Sequence, residues 1–420
     1  MSAHAKRPDV LPRIILLTQF YDPEPAYKGQ QFAEAVANLG FEVEVVTGVP
    51  NYPGGKIYPG YRIRPLQRSV INGIAVTRLP LYPSHDASKL GRVFNYISFF
   101  LCSFLYLTFW ARKATLVYAY SPPVTVGLAA VCARVFRRTP VIVDIHDLWP
   151  DTLPATGMIA NPRLLRIIGG ACSWMYRHVD HIILHTHGFR QTLEGRGVPT
   201  AKMTTVIGWT AEGGATNENH PAVAKLKALP GLKVMFAGNI GKAQALDSVV
   251  AAAKLLSDQG KSDAVTFCFL GSGLALDALK TQAASQALAN VVFLPRVPPH
   301  DVGHWLAAAD CLLVHLRDDP LFKITLPSKT QAYMYAGRPI LMAMQGEAAE
   351  LVTKAGCGVV AWPQNPASIA ESALRLAKMS ETERVEMGQA GRDYYDRELS
   401  LSQGIARFDY VFDRVRRRDI

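Results

Sequence analysis

Short apolar runs alternate with helix-patterned segments along this chain, and after a break they do so a second time. Arg13–Leu17 reads as a strand, Gly29–Leu39 as a helix ended by Gly40, and Glu42–Thr47 as a Val-rich strand. Ile74–Arg78, Leu116–Tyr120, Val141–Ile145, His181–Leu184 and Met203–Ile207 extend the strand set, with helices such as Thr125–Val135 between them. Repeated βα units imply a parallel, doubly wound sheet, because each crossover returns the chain to the same edge. The ladder falters over 211–230, where Glu212-Gly213-Gly214, Asn217–His220 and Pro221 form a polar, breaker-rich stretch. It restarts with strands at Lys233–Ala237, Val265–Leu270, Val291–Leu294, Cys311–His315, Pro339–Met342 and Gly358–Ala361, and a helix at Leu246–Leu256. The expected fold class is α/β: two Rossmann-like doubly wound lobes facing across a cleft. The expected domains are 1–210, a linker at 211–230, a second lobe at 231–395, and a helix with a basic tail at 396–420 bracing the first lobe.

Charge narrows the partners. The net charge is +11, and it is uneven: residues 1–210 hold 22 Lys/Arg against 12 Asp/Glu, the remainder 23 against 22. A basic first lobe suits an anionic partner such as phospholipid or a lipid pyrophosphate. No recognition motif accompanies the charge, so nucleic acid is not expected. The six cysteines show no CxxC spacing, so neither a metal site nor a disulfide framework is expected. Residues 1–13 are polar and charged, unlike a secretory signal.

Residues 93–111 are long and apolar enough to span a bilayer. Asn95, Ser98, Ser103 and Thr108 interrupt the run, and the Leu116–Tyr120 strand follows almost at once. A buried core helix, a helix dipping into one leaflet, and a span all remain open, the first two favoured. The basic helix at Arg163–His178, with Trp174 and Tyr176, is a second candidate for lipid contact.

The chemistry-bearing residues gather where strands of the second lobe should end. Leu326-Pro327-Ser328-Lys329-Thr330-Gln331 reads as a turn opening a helix, with Lys323 nearby, and helix N-termini beside lysines attract anions. Gly238-Asn239-Ile240-Gly241-Lys242-Ala243-Gln244 follows the first strand of this lobe, where glycines admit a pyrophosphate and Lys242 can neutralise it. Gly271-Ser272-Gly273 ends the next strand, and Arg296-Val297 follows another, where a base could rest. The spacing matches neither GxGxxG nor GxxxxGK(S/T), so neither a dinucleotide cofactor nor an NTPase is read. In the first lobe, Lys28-Gly29 opens a helix, Ser121 ends a strand, and His146-Asp147 with Trp149 follow another, so these should point toward the cleft.

Taken together, Gly238–Gly241, Leu270–Gly273, Ala308-Ala309-Asp310, Pro327-Ser328-Lys329, Tyr333-Met334 and Gly337-Arg338-Pro339-Ile340 resemble the donor lobe of family 4 retaining glycosyltransferases of GT-B architecture. Pro23-Glu24-Pro25, Tyr58-Pro59-Gly60-Tyr61 and His146–Asp151 extend the likeness to the first lobe. The combination resembles the branch that builds bacterial O-antigen, capsule and exopolysaccharide units, where L-fucosamine-type transferases belong. The chain departs from the pattern at two points. Asn239 stands where many members place Arg, and Ala332 where many place the second of two glutamates, with no carboxylate in 322–334.

The resemblance implies transfer of a hexose, including an N-acetylated 6-deoxyhexose, from a UDP-sugar to a polyprenyl-pyrophosphate-linked saccharide. The enzyme would sit peripherally on the inner face of the cytoplasmic membrane, with no metal and no cofactor. It implies Lys242 and Lys329 as phosphate stabilisers and His146 with Asp147 as catalytic or acceptor-side groups. Donor contacts would come from Gly238, Asn239, Gly241, Gln244, Gly271, Gly273, Arg296, Val297, Pro327, Ser328, Gln331 and Glu350. Lys28, Gly29, Ser121 and Trp149 would line an acceptor or phosphate loop. A nucleotide-sugar epimerase or hydrolase of the same architecture, and a non-catalytic nucleotide-sugar-binding membrane partner, are the alternatives.

Overall fold

A computed structural model describes residues 11–84, 89–213 and 219–417. Residues 214–218 of the expected linker and 418–420 of the expected tail lie outside the described residues. Fourteen strands occur among the described residues: β1 Arg13–Leu17, β2 Glu42–Gly48, β3 Gln67–Ile71, β4 Ile74–Leu79, β5 Leu116–Tyr120, β6 Val141–Ile145, β7 His181–Leu184, β8 Met203–Thr205, β9 Leu232–Asn239, β10 Val265–Ser272, β11 Val291–Leu294, β12 Cys311–His315, β13 Ile340–Ala343 and β14 Gly358–Val360. They form two sheets, one per compact unit.

The first unit comprises Met1–His185, Phe189–Val206 and Ile405–Ile420. Its sheet runs β3-β4-β2-β1-β5-β6-β7-β8 and is parallel except for β3, which pairs antiparallel with β4. Asn72 and Gly73, both with positive φ, join that hairpin, and Ile71 pairs with Ile74. Two left-handed residues in a two-residue loop match the twist of the strands. Asn-Gly is the signal that would have revealed β3, which the ladder reading passed over. Helix α1 (Gln30–Asn38) packs beside the sheet, and Phe408 and Phe412, from the Leu401–Arg417 helix, are buried against Phe32, Phe41 and Tyr118.

Helix α2 (Lys89–Leu105), continued by a π-helical turn at Tyr106–Trp110, is not a core helix. Only 33% of its most apolar 18-residue window is buried. The residues that interrupt its apolar run face inward: Asn95 and Ser103 are fully buried. The Asn95 carboxamide accepts from Gln19 Nε2 at 2.5 Å and donates to Tyr82 O at 2.7 Å, and Tyr106 Oη donates to Glu44 at 2.6 Å. Phe99 and Leu107 are buried beside them, while most of the other apolar side chains face out. The buried-core reading of 93–111 is therefore corrected: a narrow inner face, with hydrogen-bonded polar groups beside Phe99 and Leu107, fastens this helix to its unit.

The second unit comprises Thr186–Gly188 and Ile207–Gly404. Its six strands are all parallel, in the order β11-β10-β9-β12-β13-β14. Helices cover a parallel sheet on both faces, so its strands are mostly apolar. Val234, Phe236, Phe267, Phe269, Leu313 and Leu341 are all at most 1% exposed, packed with the Asp247–Asp258 and Pro366–Lys378 helices. Burying each phenylalanine stabilises the unit by about 2–3 kcal/mol.

Candidate active site

In the second unit the site is built on the carboxyl ends of neighbouring strands. β9 ends at Gly238-Asn239, and β10 runs beside it with Gly271 opposite Gly238 and Ser272 opposite Asn239. Gly271 has φ +142°, and a Cβ there would collide with Gly238 O. Ile240 N–H donates to Ser272 O at 2.9 Å, and Ala275 N–H donates to Ile240 O at 3.0 Å. Gly271 and Gly273 are thus glycines because two backbones touch, which corrects their reading as contacts kept open for a ligand. Gly238 and Asn239 remain exposed.

The Ser328–Tyr335 helix meets this edge. Tyr333 is buried, and its hydroxyl accepts from Ala237 N–H at 3.0 Å, which pins the helix to the end of β9. One turn earlier Lys329 lies with Nζ 3.8 Å from the centre of the Phe236 ring, and its Cε would be 2.8 Å from a Cβ at Gly238. Its stem keeps some exposure, but the ammonium is set in apolar surroundings without a carboxylate partner among the described residues. That desolvation lowers its pKa from 10.5 to about 7. Pro327 caps the helix, Ser328 is exposed, and no protein acceptor is found for the N–H of Ser328 or Lys329 among the described residues.

Three sequence readings change here. Gln331 is 1% exposed, and with its amide set by its hydrogen bonds it donates to Pro327 O at 2.9 Å, so it closes its own helix rather than reaching a ribose. Gln244 Oε1 accepts from Gly241 N–H at 3.0 Å, so that N–H and that oxygen close the turn itself rather than meeting a donor. Lys323 pairs with Asp318 at 3.0 Å instead of joining Lys329.

Lys242 is exposed at the head of the turn that Gln244 closes. His315, at the end of β12, holds that turn: Nδ1–H donates to Gln244 O at 2.6 Å, while Nε2 accepts from Gln364 N–H at 3.1 Å. Burial lowers its pKa to about 4 and keeps it neutral. Arg296 is exposed and Val297 half-buried past the end of β11. β11 lies two strands from β9, about 10 Å across the sheet. Glu350 is exposed in the first turn of Glu347–Ala355. Glu347 is the engaged acid, accepting from His187 N–H at 2.7 Å and Gly188 N–H at 2.9 Å.

In the first unit the ends of β5, β6 and β7 bring together Tyr120, His146 and His185. The two imidazole centroids are 3.5 Å apart and perpendicular, with Tyr120 4.7 Å from His146 and Tyr27 5.1 Å away. The carboxylate that faces His146 is Asp144, at 3.5 Å, not Asp147. Asp144 is buried in β6 and also accepts from the Tyr118 hydroxyl. Burial opposes its ionisation, yet His146, Lys28 and His185 hold its carboxyl far below the usual range. Burial lowers His146 as well. Asp147 is exposed, and among the described residues no hydrogen bond joins it to His146, which corrects the expected pair. An acid inside the apolar run Val-Ile-Val-Asp-Ile was the signal for Asp144.

Lys28 is 4% exposed, its ammonium 4.9 Å from the Phe32 centroid and 4.3 Å from that of Phe408, with burial lowering its pKa to about 7. A Cβ at Gly29 would strike the Asp22 carboxylate, which accepts from Gln30 N–H at 2.7 Å. Asp22 therefore occupies the α1 N-terminus that the phosphate-loop reading had assigned to a ligand. Ser121 is buried, its hydroxyl turned to Pro123 O at 3.5 Å. Trp149 is half-buried, and its carbonyl accepts from Tyr176 Oη at 3.4 Å.

Two further features stand apart. A cavity of about 430 Å³ lies at the amino ends of β9, β12 and β13, lined by Lys233, Asp310 and Arg338. Open α/β sheets take ligands at the opposite edge, so it is not the candidate donor site. His220, Asp301 and His304 bring three potential ligand atoms within 4.8 Å. His220 Nδ1 already accepts from Ala222 N–H, which leaves the proton on Nε2, so the trio is not preorganised for a metal.

Residues 29–209 match the model of the glycosyl transferase 4-like domain, and residues 231–379 match that of glycosyl transferases group 1. The chain belongs to the glycosyltransferases. WbjE of Pseudomonas aeruginosa, a probable glycosyltransferase, is 23% identical over 271 residues, 63% of this chain and 66% of that protein. The chain thus spans just under two thirds of that relative. WcaI of Escherichia coli, a putative colanic acid biosynthesis glycosyl transferase, is 25% identical over 341 residues, 77% of this chain and 81% of its own. Among solved structures, a trehalose-6-phosphate protein from E. coli bound with UDP-2-fluoro glucose matches at TM-score 0.70 and 12% identity, covering 95% of this chain and 98% of its own. Anabaena HepE in complex with UDP-glucose matches at TM-score 0.67 and 13% identity, covering 96% and 99%. Identities this low carry the fold, and the two parallel-sheet units make it a two-lobe α/β fold of GT-B type.

Proposed function

We propose that this glycosyltransferase moves a hexose from a UDP-sugar to a polyprenyl-pyrophosphate-linked saccharide in surface-polysaccharide synthesis, on the cytoplasmic side of the membrane. The observation that carries the donor half is Lys329: an ammonium held in apolar surroundings against Gly238, with helix N–H groups beside it that have no protein acceptor, and no carboxylate to neutralise it, among the described residues. Such a group gains most from a diphosphate. Arg296 and Val297, about 10 Å along the same edge, stand where a uracil attached to that diphosphate would reach. The complexes of HepE with UDP and UDP-glucose support a uridine nucleotide.

Transfer with retention breaks the C1–oxygen bond of the donor. The electron pair leaves on UDP, the acceptor hydroxyl forms the new bond, and its proton passes to the departing phosphate. Lys329, exposed Lys242 and the Ser328 and Lys329 N–H groups stabilise that leaving charge, a role that requires neither a metal nor a carboxylate pair. On the first unit, Asp144 orients His146, which positions the acceptor or the sugar. An N-acetylated 6-deoxyhexose of the L-fucosamine type remains the proposed donor sugar.

The test is turnover of radiolabelled UDP-sugars with and without a polyprenyl-pyrophosphate saccharide. A transferase requires both substrates. Conversion of UDP-sugar alone would make it an epimerase or hydrolase, and no conversion would make it a binding partner. Lys329→Ala is expected to lower turnover about 100-fold, and unchanged turnover would remove Lys329 from the site.

A further inference from the structure

We propose that the outward face of α2 and its π-helical extension lies in the plane of an anionic phospholipid bilayer, sunk to side-chain depth in one leaflet. It rests on the first unit's surface alone and is independent of the donor site. Leu90, Val93, Phe94, Ile97, Leu101 and Leu105 recur at helical spacing and are all 41–73% exposed. Phe109 and Trp110 lengthen the stripe, and Phe136 of α3 (Val124–Arg137), 66% exposed, widens it through its contact with Phe104. A water-facing helix ordinarily turns this face to the core. Here the core side is already filled by Asn95, Ser103 and Tyr106, each hydrogen-bonded, with Phe99 and Leu107.

Charge selects the occupant. No Asp or Glu occurs between residues 87 and 143, while Lys89, Arg92, Arg112, Lys113, Arg134, Arg137 and Arg138 do. Arg112, Lys113, Arg137 and Arg138 are exposed around the far end of the stripe. Val135 and Arg138 also line a recess of about 860 Å³ with Arg177, His178 and Lys202, where the one carboxylate, Asp180, is already paired with Arg134. An apolar stripe with a surround in which cations outnumber the carboxylates Glu42 and Asp180, each already paired with an arginine, fits a negatively charged lipid surface, which supplies acyl chains and phosphates together. A span would have to pull Asn95 and Tyr106 away from Gln19 and Glu44, so the helix lies in plane.

The experiment is vesicle flotation of the full chain, using phosphatidylcholine vesicles with and without phosphatidylglycerol. Binding is expected with phosphatidylglycerol, at least tenfold weaker without it, and weakened by salt. The exposed triple variant Phe94→Ser/Ile97→Ser/Leu101→Ser should keep the wild-type melting temperature and lose about 100-fold in partitioning. Arg138→Glu/Lys113→Glu should lose the preference for anionic lipid but keep the wild-type fold. Carbonate at alkaline pH should release the protein. Retention through carbonate would mean a span and overturn the in-plane placement. Failure to bind vesicles, or binding unchanged in the triple variant, would overturn the proposal. So would a lipid-free dimer that the triple variant dissociates, since a second copy would then cover the face.

Discussion

Replacing Lys329 with methionine should stabilise the unliganded protein and abolish its response to UDP. The methionine stem fills the same space over Phe236 but carries no charge to desolvate. Depressing the ammonium from 10.5 to about 7 sets an upper bound of about 4–5 kcal/mol on the folding cost, at 1.36 kcal/mol per unit. Water reaching the partly open side chain lowers the realised gain to about 2 kcal/mol. That corresponds to a rise of about 4–8 °C in melting temperature. The sign follows from proton binding. Below pH 7 both folded and unfolded chains hold the proton and the cost is complete. From pH 7 to 10.5 the unfolded chain keeps a proton that the folded chain has released, so wild-type stability climbs with pH. Above 10.5 the cost is gone. The advantage of Lys329→Met is therefore largest at or below pH 7 and fades by pH 10.5. UDP should raise the wild-type melting temperature, because binding to the folded form alone stabilises it, and should leave the variant unmoved. Differential scanning fluorimetry across that pH range reads both effects. A variant that melts below wild type at pH 7, or one that keeps the full UDP shift, would refute the reasoning.

Gly271→Ala should destabilise the second unit by about 3 kcal/mol, through collision with Gly238 O and an unfavourable φ; a urea midpoint equal to wild type's would show that the two strand ends have room. Neutral, buried His315 should make stability fall as pH drops from 6.5 towards 4, by about 3 kcal/mol in all. His315→Gln should flatten that slope, and an unchanged acid profile would count against it. Asp144→Asn should cost about 3 kcal/mol by removing the charge that faces His146 and Lys28, measured by chemical denaturation; a loss under about 0.5 kcal/mol would mean that the cluster does not depend on the carboxylate's charge.

Strand runs in this chain were legible because parallel strands covered on both faces are mostly apolar. Val141–Ile145 and Cys311–His315 read the same way in sequence and in space. β3 was missed because an exposed edge strand, Gln67–Ile71, carries no such run. In the site, Lys329, Gly238 and Lys242 were found from strand-end and helix-start patterns. The partners of Gln331, Gln244 and Gly29 were not, because each is a hydrogen bond or collision set within ångströms. Asp144 and His315 escaped notice for a related reason, as did what the Tyr333 hydroxyl holds. They lie inside elements that otherwise look like core, and only burial reveals what each one faces.

Local order of apolar and breaker residues thus determined the two α/β units and the strand ends at which chemistry gathers, because hydrophobic periodicity acts over a few residues. The tertiary structure alone decided which carboxylate meets His146, which glycines are held by a touching backbone, and that α2 turns its apolar face outward. Those outcomes depend on pairings such as Asn95 with Gln19 and Tyr106 with Glu44, 76 and 62 residues apart in the chain. Hydrogen bonds and desolvation select among side chains by position in space, which sequence spacing does not encode.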